Sequence, residues 1–322
     1  MVKKVIISSG REVGGLNAFA TSLAEGFREI GIEAEVLPIK EILLNKRGEL
    51  GDKEVLKILS TSAMFFAPFF KNTIGVAHGF PVPSVQGYIR WVIILLFYKL
   101  SFKFGKFVCV SHYVRTHLRD LFGLDSHAAI NNPVGKLFLS ENGDGIEKRY
   151  ITYIGRLIPI KKVENFIEPL KKVLDENPQY SVKIIGHGTQ AKIITDKINN
   201  DDRFEILPAL TPAEVRDVLS KTKLFFSGCE TEALGIGYIE ALTQGSNIVM
   251  PNAGGGLEIA HELLGKRVFT YRLDMGFDTV YETLCAALAS EDKTEFDVKP
   301  FIPKNVAEQY LAVANEDDKG KR

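Results

Sequence analysis

Two glutamates with seven residues between them, Glu232 and Glu240, bracket a glycine turn in the run Cys229-Glu230-Thr231-Glu232-Ala233-Leu234-Gly235-Ile236-Gly237-Tyr238-Ile239-Glu240. The apolar run Lys223 to Ser227 ahead of them reads as a strand, and the pattern from about Gly235 reads as a helix. Glu232 therefore belongs to a loop at the carboxyl end of a strand, the edge at which open α/β sheets bind ligands. The first amides of a helix have no partner within it, and its dipole favours negative charge, so the backbone at Leu234, Gly235 and Ile236 is suited to phosphate. Glu240, about a turn further on, is placed to accept two hydrogen bonds from vicinal hydroxyls such as those of a ribose. Either glutamate alone is an ordinary solvated acid; the spacing across the glycine turn gives the pair its meaning.

A second glycine turn, Gly14-Gly15, follows the apolar run Lys3 to Ser9 and precedes a helical pattern from Asn17 to Ile30. It is either a tight turn or a loop that approaches a phosphate or sugar closely. Arg11-Glu12-Val13 separates Gly10 from Gly14, so it is no Gly-x-Gly-x-x-Gly dinucleotide motif, and there is no Walker lysine.

The elements that position these loops alternate in type. Further strand candidates are Glu33 to Ile39, Thr73 to Ala77 and Phe107 to Ser111 in the first half. Tyr150 to Tyr153, Ser181 to Ile185, Phe204 to Leu207, Asn247 to Met250 and Arg267 to Tyr271 follow in the second, with helical segments between them. Such alternation predicts α/β architecture with parallel sheets covered on both faces. A polar, glycine-containing stretch from Glu141 to Lys148 marks a boundary, giving domains 1–147 and 148–304 in a chain of 322 residues. A last helix, about Asn305 to Asn315, precedes a charged tail to Arg322.

Composition narrows the function classes. Forty basic and forty acidic residues cancel, so the overall charge of a nucleic-acid binder is missing. Cys109, Cys229 and Cys285 form neither a Cys-x-x-Cys pair nor a Cys/His cluster, which argues against a metal site and a disulfide framework. The N-terminus lacks a signal-peptide core, and the longest apolar run, Trp91 to Tyr98, is too short to span a bilayer, so a cytoplasmic protein is expected. The zero sum hides a polarity: 19 Lys and Arg against 14 Asp and Glu through Arg149, and 21 against 26 beyond it. No Asp or Glu occurs from Val55 to Arg119, while Lys57, Lys71, Arg90, Lys99, Lys103, Lys106, Arg115 and Arg119 all do. Within that stretch, residues 87–106 hold a very apolar helical segment with basic ends. It is either core or a surface that rests on an anionic membrane through Trp, Phe and Lys side chains.

The run Glu232 to Glu240 resembles the Glu-x7-Glu signature of retaining GT-B glycosyltransferases, in particular family 4, the glycosyl transferases group 1. Gly155-Arg156-Leu157 followed by Lys161 resembles the family's Gly-Arg-Leu-x3-Lys element. Lys183 to Gly188 resembles its strand with a Gly-x-Gly turn, and Gly254-Gly255-Gly256-Leu257-Glu258 its Gly-Gly-x-x-Glu element. The likeness covers residues 150–260, and is thinner ahead of them, where it rests on Gly14-Gly15, His78-Gly79, Val110-Ser111 with Arg115, and Asn132-Pro133. Ala233 stands where the family has Gly or Pro, and Leu234 where it has Phe.

The resemblance implies two Rossmann-like domains facing across a cleft, with the nucleotide diphosphate sugar on the second and the acceptor on the first. The C-terminal helix, about 305–322, then packs back on the first domain. It implies transfer of a hexosyl group with retention to an acceptor hydroxyl, lipid-linked and cell-surface glycans among the candidates, without metal or other cofactor. Glu232 and His78 are then placed at the sugar, Glu240 at the ribose, and Gly14, Gly15, Gly155, Leu234, Gly235 and Ile236 around the donor. Arg156 and Lys161 answer the charge that builds on the departing diphosphate, each worth up to roughly 10² to 10³ in rate. Arg supplies a planar fork and Lys a point charge. By the same resemblance, the base is read near His187 and Leu207 to Thr211. Two alternatives stay open: a nucleotide-sugar epimerase of the same fold, and a catalytically silent sugar-nucleotide or membrane-surface binding protein.

Overall fold

The computed structural model describes residues 2–10, 15–45, 47–82, 87–140, 146–272 and 276–316. The chain forms two compact units, Met1–Lys136 with Lys299–Arg322, and Leu137–Val298. The division precedes the 147/148 boundary expected from sequence because Phe138 already belongs to the second unit. Its side chain is buried there and its carbonyl accepts the side-chain amide of Gln244 at 2.9 Å. Of the polar stretch read as a linker, residues 141–145 lie outside the described residues.

The first unit is built on six parallel strands, β1 (Lys4–Ser9), β2 (Glu33–Pro38), β3 (Val55–Ser60), β4 (Thr73–Ala77), β5 (Lys106–Cys109) and β6 (Ala128–Ala129), in the order β2-β1-β3-β4-β5-β6. Sequence patterning finds β1, β2, β4 and β5 and misses two. β6 is only two residues long, and β3 hides behind a charge, since Lys57 interrupts its apolar run. That lysine is fully buried, and its ammonium donates to the carbonyls of Asp52 (2.6 Å) and Lys71 (3.0 Å). Burial lowers its pKa to about 8.

The second unit has β7 (Tyr150–Ile154), β8 (Ser181–Ile185), β9 (Phe204–Leu207), β10 (Thr222–Phe226), β11 (Asn247–Pro251) and β12 (Val268–Tyr271), all parallel, in the order β12-β11-β10-β7-β8-β9. All six correspond to sequence-read runs, within a residue or so at the ends. This is the doubly wound order of a Rossmann sheet, and it reverses direction between β7 and β10. The loops leaving those two strands run to opposite sides, which opens a crevice at the sheet's carboxyl edge. At the same seam the hydroxyls of Thr152 and Thr222 meet in the buried sheet at 2.7 Å. The equivalent reversal in the first unit falls between β1 and β3.

Helices cover both sheets through apolar faces. In the first unit, the helix Gly15–Glu29 buries Phe19, Leu23 and Phe27, one turn apart, and packs against the C-terminal helix Pro303–Asn315. Gly26 permits that approach: a Cβ there would stand 2.1 Å from the carbonyl oxygen of Pro303. Gly26→Ala is expected to force the two helices apart and lower stability by about 1–3 kcal/mol, despite alanine's better helix propensity. Chemical denaturation followed by circular dichroism checks this, and an unchanged or raised midpoint would contradict it.

Candidate functional site

The second unit gathers its chemistry at the β7/β10 reversal. Beyond β7 the chain turns through Gly155-Arg156-Leu157 and is tied to the loop after β8, with the Gly155 amide donating to the Ile185 carbonyl (2.9 Å) and the Leu157 amide to that of His187 (2.8 Å). It then makes two 3₁₀ turns, Pro159–Lys161 and Val163–Asn165. Arg156 and Lys161 thus lie on a loop and a 3₁₀ turn, and the α-helix that follows starts only at Ile167. The Arg156 side chain is exposed, with no hydrogen-bond or ion-pair partner among the described residues.

The loop after β10 closes on this turn. A Cβ at Gly228 would lie 2.8 Å from the Lys161 carbonyl oxygen, so only glycine admits the contact without a shift. Two ion pairs then join the loops: Lys161 Nζ donates to Glu232 Oε2 at 2.5 Å, and Lys162 pairs with Glu230. Burial works against the Lys161 charge, but Glu232 beside it outweighs that cost and holds its pKa above the ordinary value. The Cys229 thiol, buried beside this pair, is itself pushed up by burial and by the Glu232 charge.

Past Glu232, Leu234 is buried and Gly235 takes a left-handed conformation (φ 88°) as the N-cap of the helix Ile236–Thr243. A Cβ at Gly235 would also meet the Tyr238 ring at 2.3 Å, so this start is closed to any other residue. Among the described residues no side chain caps the helix, which leaves its first amides to a ligand or to water. The glycine-rich turn after β11 locks the arrangement, with the Gly255 amide donating to the Glu232 carbonyl at 2.7 Å. Tyr238, buried between Gly235 and Gly256, is a structural support that sequence reading passed over; an aromatic three residues after a glycine N-cap was its only signal.

Glu240 lies on the same helix, half-buried, with no hydrogen-bond or ion-pair partner for its carboxyl group among the described residues. Loss of hydration pushes its pKa up to about 8. At neutral pH Glu240 therefore keeps its proton. Hydroxyl groups donating to it would favour the charged form.

His78 belongs to the first unit. It follows β4, its Nε2 lies 3.0 Å from the Ser60 hydroxyl at the end of β3, and its ring meets the Phe19 ring edge-on at 4.6 Å. Ser60 is in turn fixed by its amide, which donates to Ser8 Oγ at 2.8 Å. Burial lowers the His78 pKa to about 4, so the imidazole is neutral at physiological pH. Gly14 lies outside the described residues, and Gly15 opens the first helix with nothing within 4 Å of where a Cβ would be. Two of the thinner marks have local structural work: Ser111 Oγ accepts from the Val114 amide at 3.2 Å as an N-cap, and Arg115 pairs with Asp125 at 3.1 Å. Among the described residues no helix is long and apolar enough to cross a membrane.

Residues 140–269 match the family model of the glycosyl transferases group 1. The chain is 25% identical over 159 residues to the phosphatidylinositol N-acetylglucosaminyltransferase gpi3 subunit of Schizosaccharomyces pombe; the match takes in 47% of this chain and 35% of that relative's length. HepE of Anabaena, solved in complex with UDP and glucose, superposes with a TM-score of 0.69 at 13% identity, covering 97% of both chains. WaaG, a glycosyltransferase involved in lipopolysaccharide biosynthesis, does so with a TM-score of 0.69 at 13% identity, covering 98% of this chain and 96% of its own.

The raised pKa of Glu240 has a consequence for stability. Between the ordinary carboxyl pKa of 4.5 and about 8 the folded state holds a proton that the unfolded chain has released, so stability contributed by this group falls as pH rises through that window. Glu240→Gln removes the dependence. Its melting temperature is expected to exceed that of the wild type by more at pH 8 than at pH 5, read by differential scanning fluorimetry; a difference independent of pH would contradict the assignment.

Proposed function

From a chain with the GT-B fold, whose second unit carries the match to the glycosyl transferases group 1, we propose a retaining glycosyltransferase that moves a hexosyl group from a nucleotide diphosphate sugar to an acceptor hydroxyl. The observation that carries this reading is the Lys161–Glu232 pair at the β7/β10 reversal, beside a helix N-terminus with no side-chain cap. An anion-binding group and a carboxylate are adjacent there on one sheet edge. This is the arrangement that transfer from a sugar diphosphate needs.

The chemistry follows from the positions. Cleavage of the sugar–phosphate bond leaves negative charge on the diphosphate. Arg156, Lys161 and the amides of Gly235 and Ile236 supply fixed positive groups to stabilise it, and the reaction draws on these rather than on a metal ion or other cofactor. The diphosphate offers Lys161 a second anion and so frees Glu232 Oε2, which turns to the transferred sugar. Glu240 accepts the ribose hydroxyls and releases its proton to the solvent as they bind. The neutral His78 imidazole, oriented by Ser60, serves as a hydrogen-bonding group for a sugar hydroxyl without adding charge. Acceptor binding falls to the first unit, and a lipid-linked or cell-surface glycan is the acceptor class.

Arg156→Ala or Lys161→Ala is expected to lower kcat at saturating donor by about 10²- to 10³-fold. Arg156 is exposed, so its variant should fold like the wild type and gives the cleaner test. Steady-state kinetics with a panel of nucleotide sugars, combined with the anomeric configuration of the product by NMR, checks both claims. Unchanged kcat in both variants would overturn the leaving-group role, and an inverted anomer would overturn the retaining mechanism.

A further inference from the structure

The helix Tyr88–Phe104 in the first unit faces the wrong way for a helix that serves only the core. Its buried residues are Tyr98 and Ser101, with the Tyr98 hydroxyl donating to the Gly79 carbonyl at 2.9 Å. Trp91 is also directed inward: its ring packs against Phe122, and its indole nitrogen is buried with no partner among the described residues. An apolar stripe at i, i+3, i+4 and i+7, formed by Ile89, Val92, Ile93 and Leu96, is left in solvent, with Ile89 76% exposed and Leu96 48%. The 3₁₀ segment Thr61–Phe69 packs beside this helix through the Phe65–Phe97 ring contact at 5.5 Å and adds Phe69, 70% exposed. An apolar surface of this kind on a globular unit marks an interaction site.

Charge selects the occupant. The surface lies in the stretch from Val55 to Arg119, which contains no Asp or Glu, and Lys71, Arg90, Lys99 and Lys103 are all exposed on its two elements or directly beside them. A second copy of the same surface would bring cation against cation. An acidic lipid surface instead takes the aliphatic side chains into its acyl boundary, and the long lysine and arginine side chains reach its phosphates. We propose that the Tyr88–Phe104 helix and the adjoining 3₁₀ segment dock the first unit onto an anionic bilayer. The contact is made by the aliphatic stripe and Phe69, not by Trp91, the residue type that sequence alone suggests for it. This proposal does not depend on the transferase reading, because its test measures binding to lipid and not turnover.

The test is co-sedimentation of the full chain with phosphatidylcholine vesicles with and without a third of phosphatidylglycerol, at low and high salt. The protein is expected to pellet with the anionic vesicles, less so at high salt, and to remain in solution with the neutral ones. Lys99→Gln with Lys103→Gln should lower partitioning about fivefold for each lysine, and Ile93→Glu with Leu96→Glu should abolish it. All four positions are exposed apart from the protein's core, and circular dichroism confirms that each variant is folded. Equal pelleting with neutral and anionic vesicles, pelleting with neither, or variants that partition like the wild type would overturn the proposal. So would sedimentation velocity showing a dimer that Ile93→Glu dissolves, since that would assign the surface to a second copy.

Discussion

The ion pair between Lys161 and Glu232 joins two loops that the sheet topology drives apart. Reversal of strand order between β7 and β10 sends the following segments to opposite sides of the sheet, and a crevice with unpaired backbone groups is the result. The pair spans it, with 18% and 25% of the two side chains' surface exposed, so solvent screens the charges less than on an open face. Everything around it serves to hold this geometry. Gly228 lets the two backbones close, the Gly255 amide fixes the Glu232 carbonyl, and Tyr238 fills the space beside the Gly235 turn.

The same economy makes the site costly to the fold. Lys161 keeps its charge despite burial because Glu232 is next to it, whereas the Glu240 carboxyl has no partner among the described residues and is held protonated by the same loss of water. A ligand with a diphosphate and a diol would satisfy both groups at once, one with negative charge and the other with hydroxyl donors. The helix Ile236–Thr243 joins these two needs on one rigid element, with its open N-terminus at one end and Glu240 in its second turn.

Much of this was legible in the sequence because strand ends and glycine turns punctuate it strongly. The six strands of the second unit follow from apolar runs, and the loops that carry Arg156, Lys161, Glu232 and Gly235 follow from the glycines just past β7 and β10, Gly155 and Gly228. What escaped notice did so for physical reasons. β3 was hidden because a lysine in an apolar run argues against burial, yet the Lys57 ammonium is satisfied by the carbonyls of Asp52, ahead of the strand, and Lys71, beyond it. The Ser60 partner of His78 and the Cys229 thiol beside Lys161 come from tertiary neighbours that spacing does not encode. Residues 88–104 are apolar on nearly every face, so the pattern alone does not say which side turns outward; the buried Tyr98, Ser101 and Trp91 nitrogen settle it.

The central claim is that the β7/β10 edge holds a nucleoside diphosphate. Isothermal titration calorimetry of the protein with UDP, GDP and ADP, each beside its monophosphate, tests it most directly. The account predicts base-selective binding of one diphosphate, at least about tenfold tighter than its monophosphate and weakened to a similar extent by Arg156→Ala, since one charge-assisted contact is worth about 1.5–3 kcal/mol. No binding by well-folded protein, or equal binding of mono- and diphosphate that Arg156→Ala leaves unchanged, would contradict it.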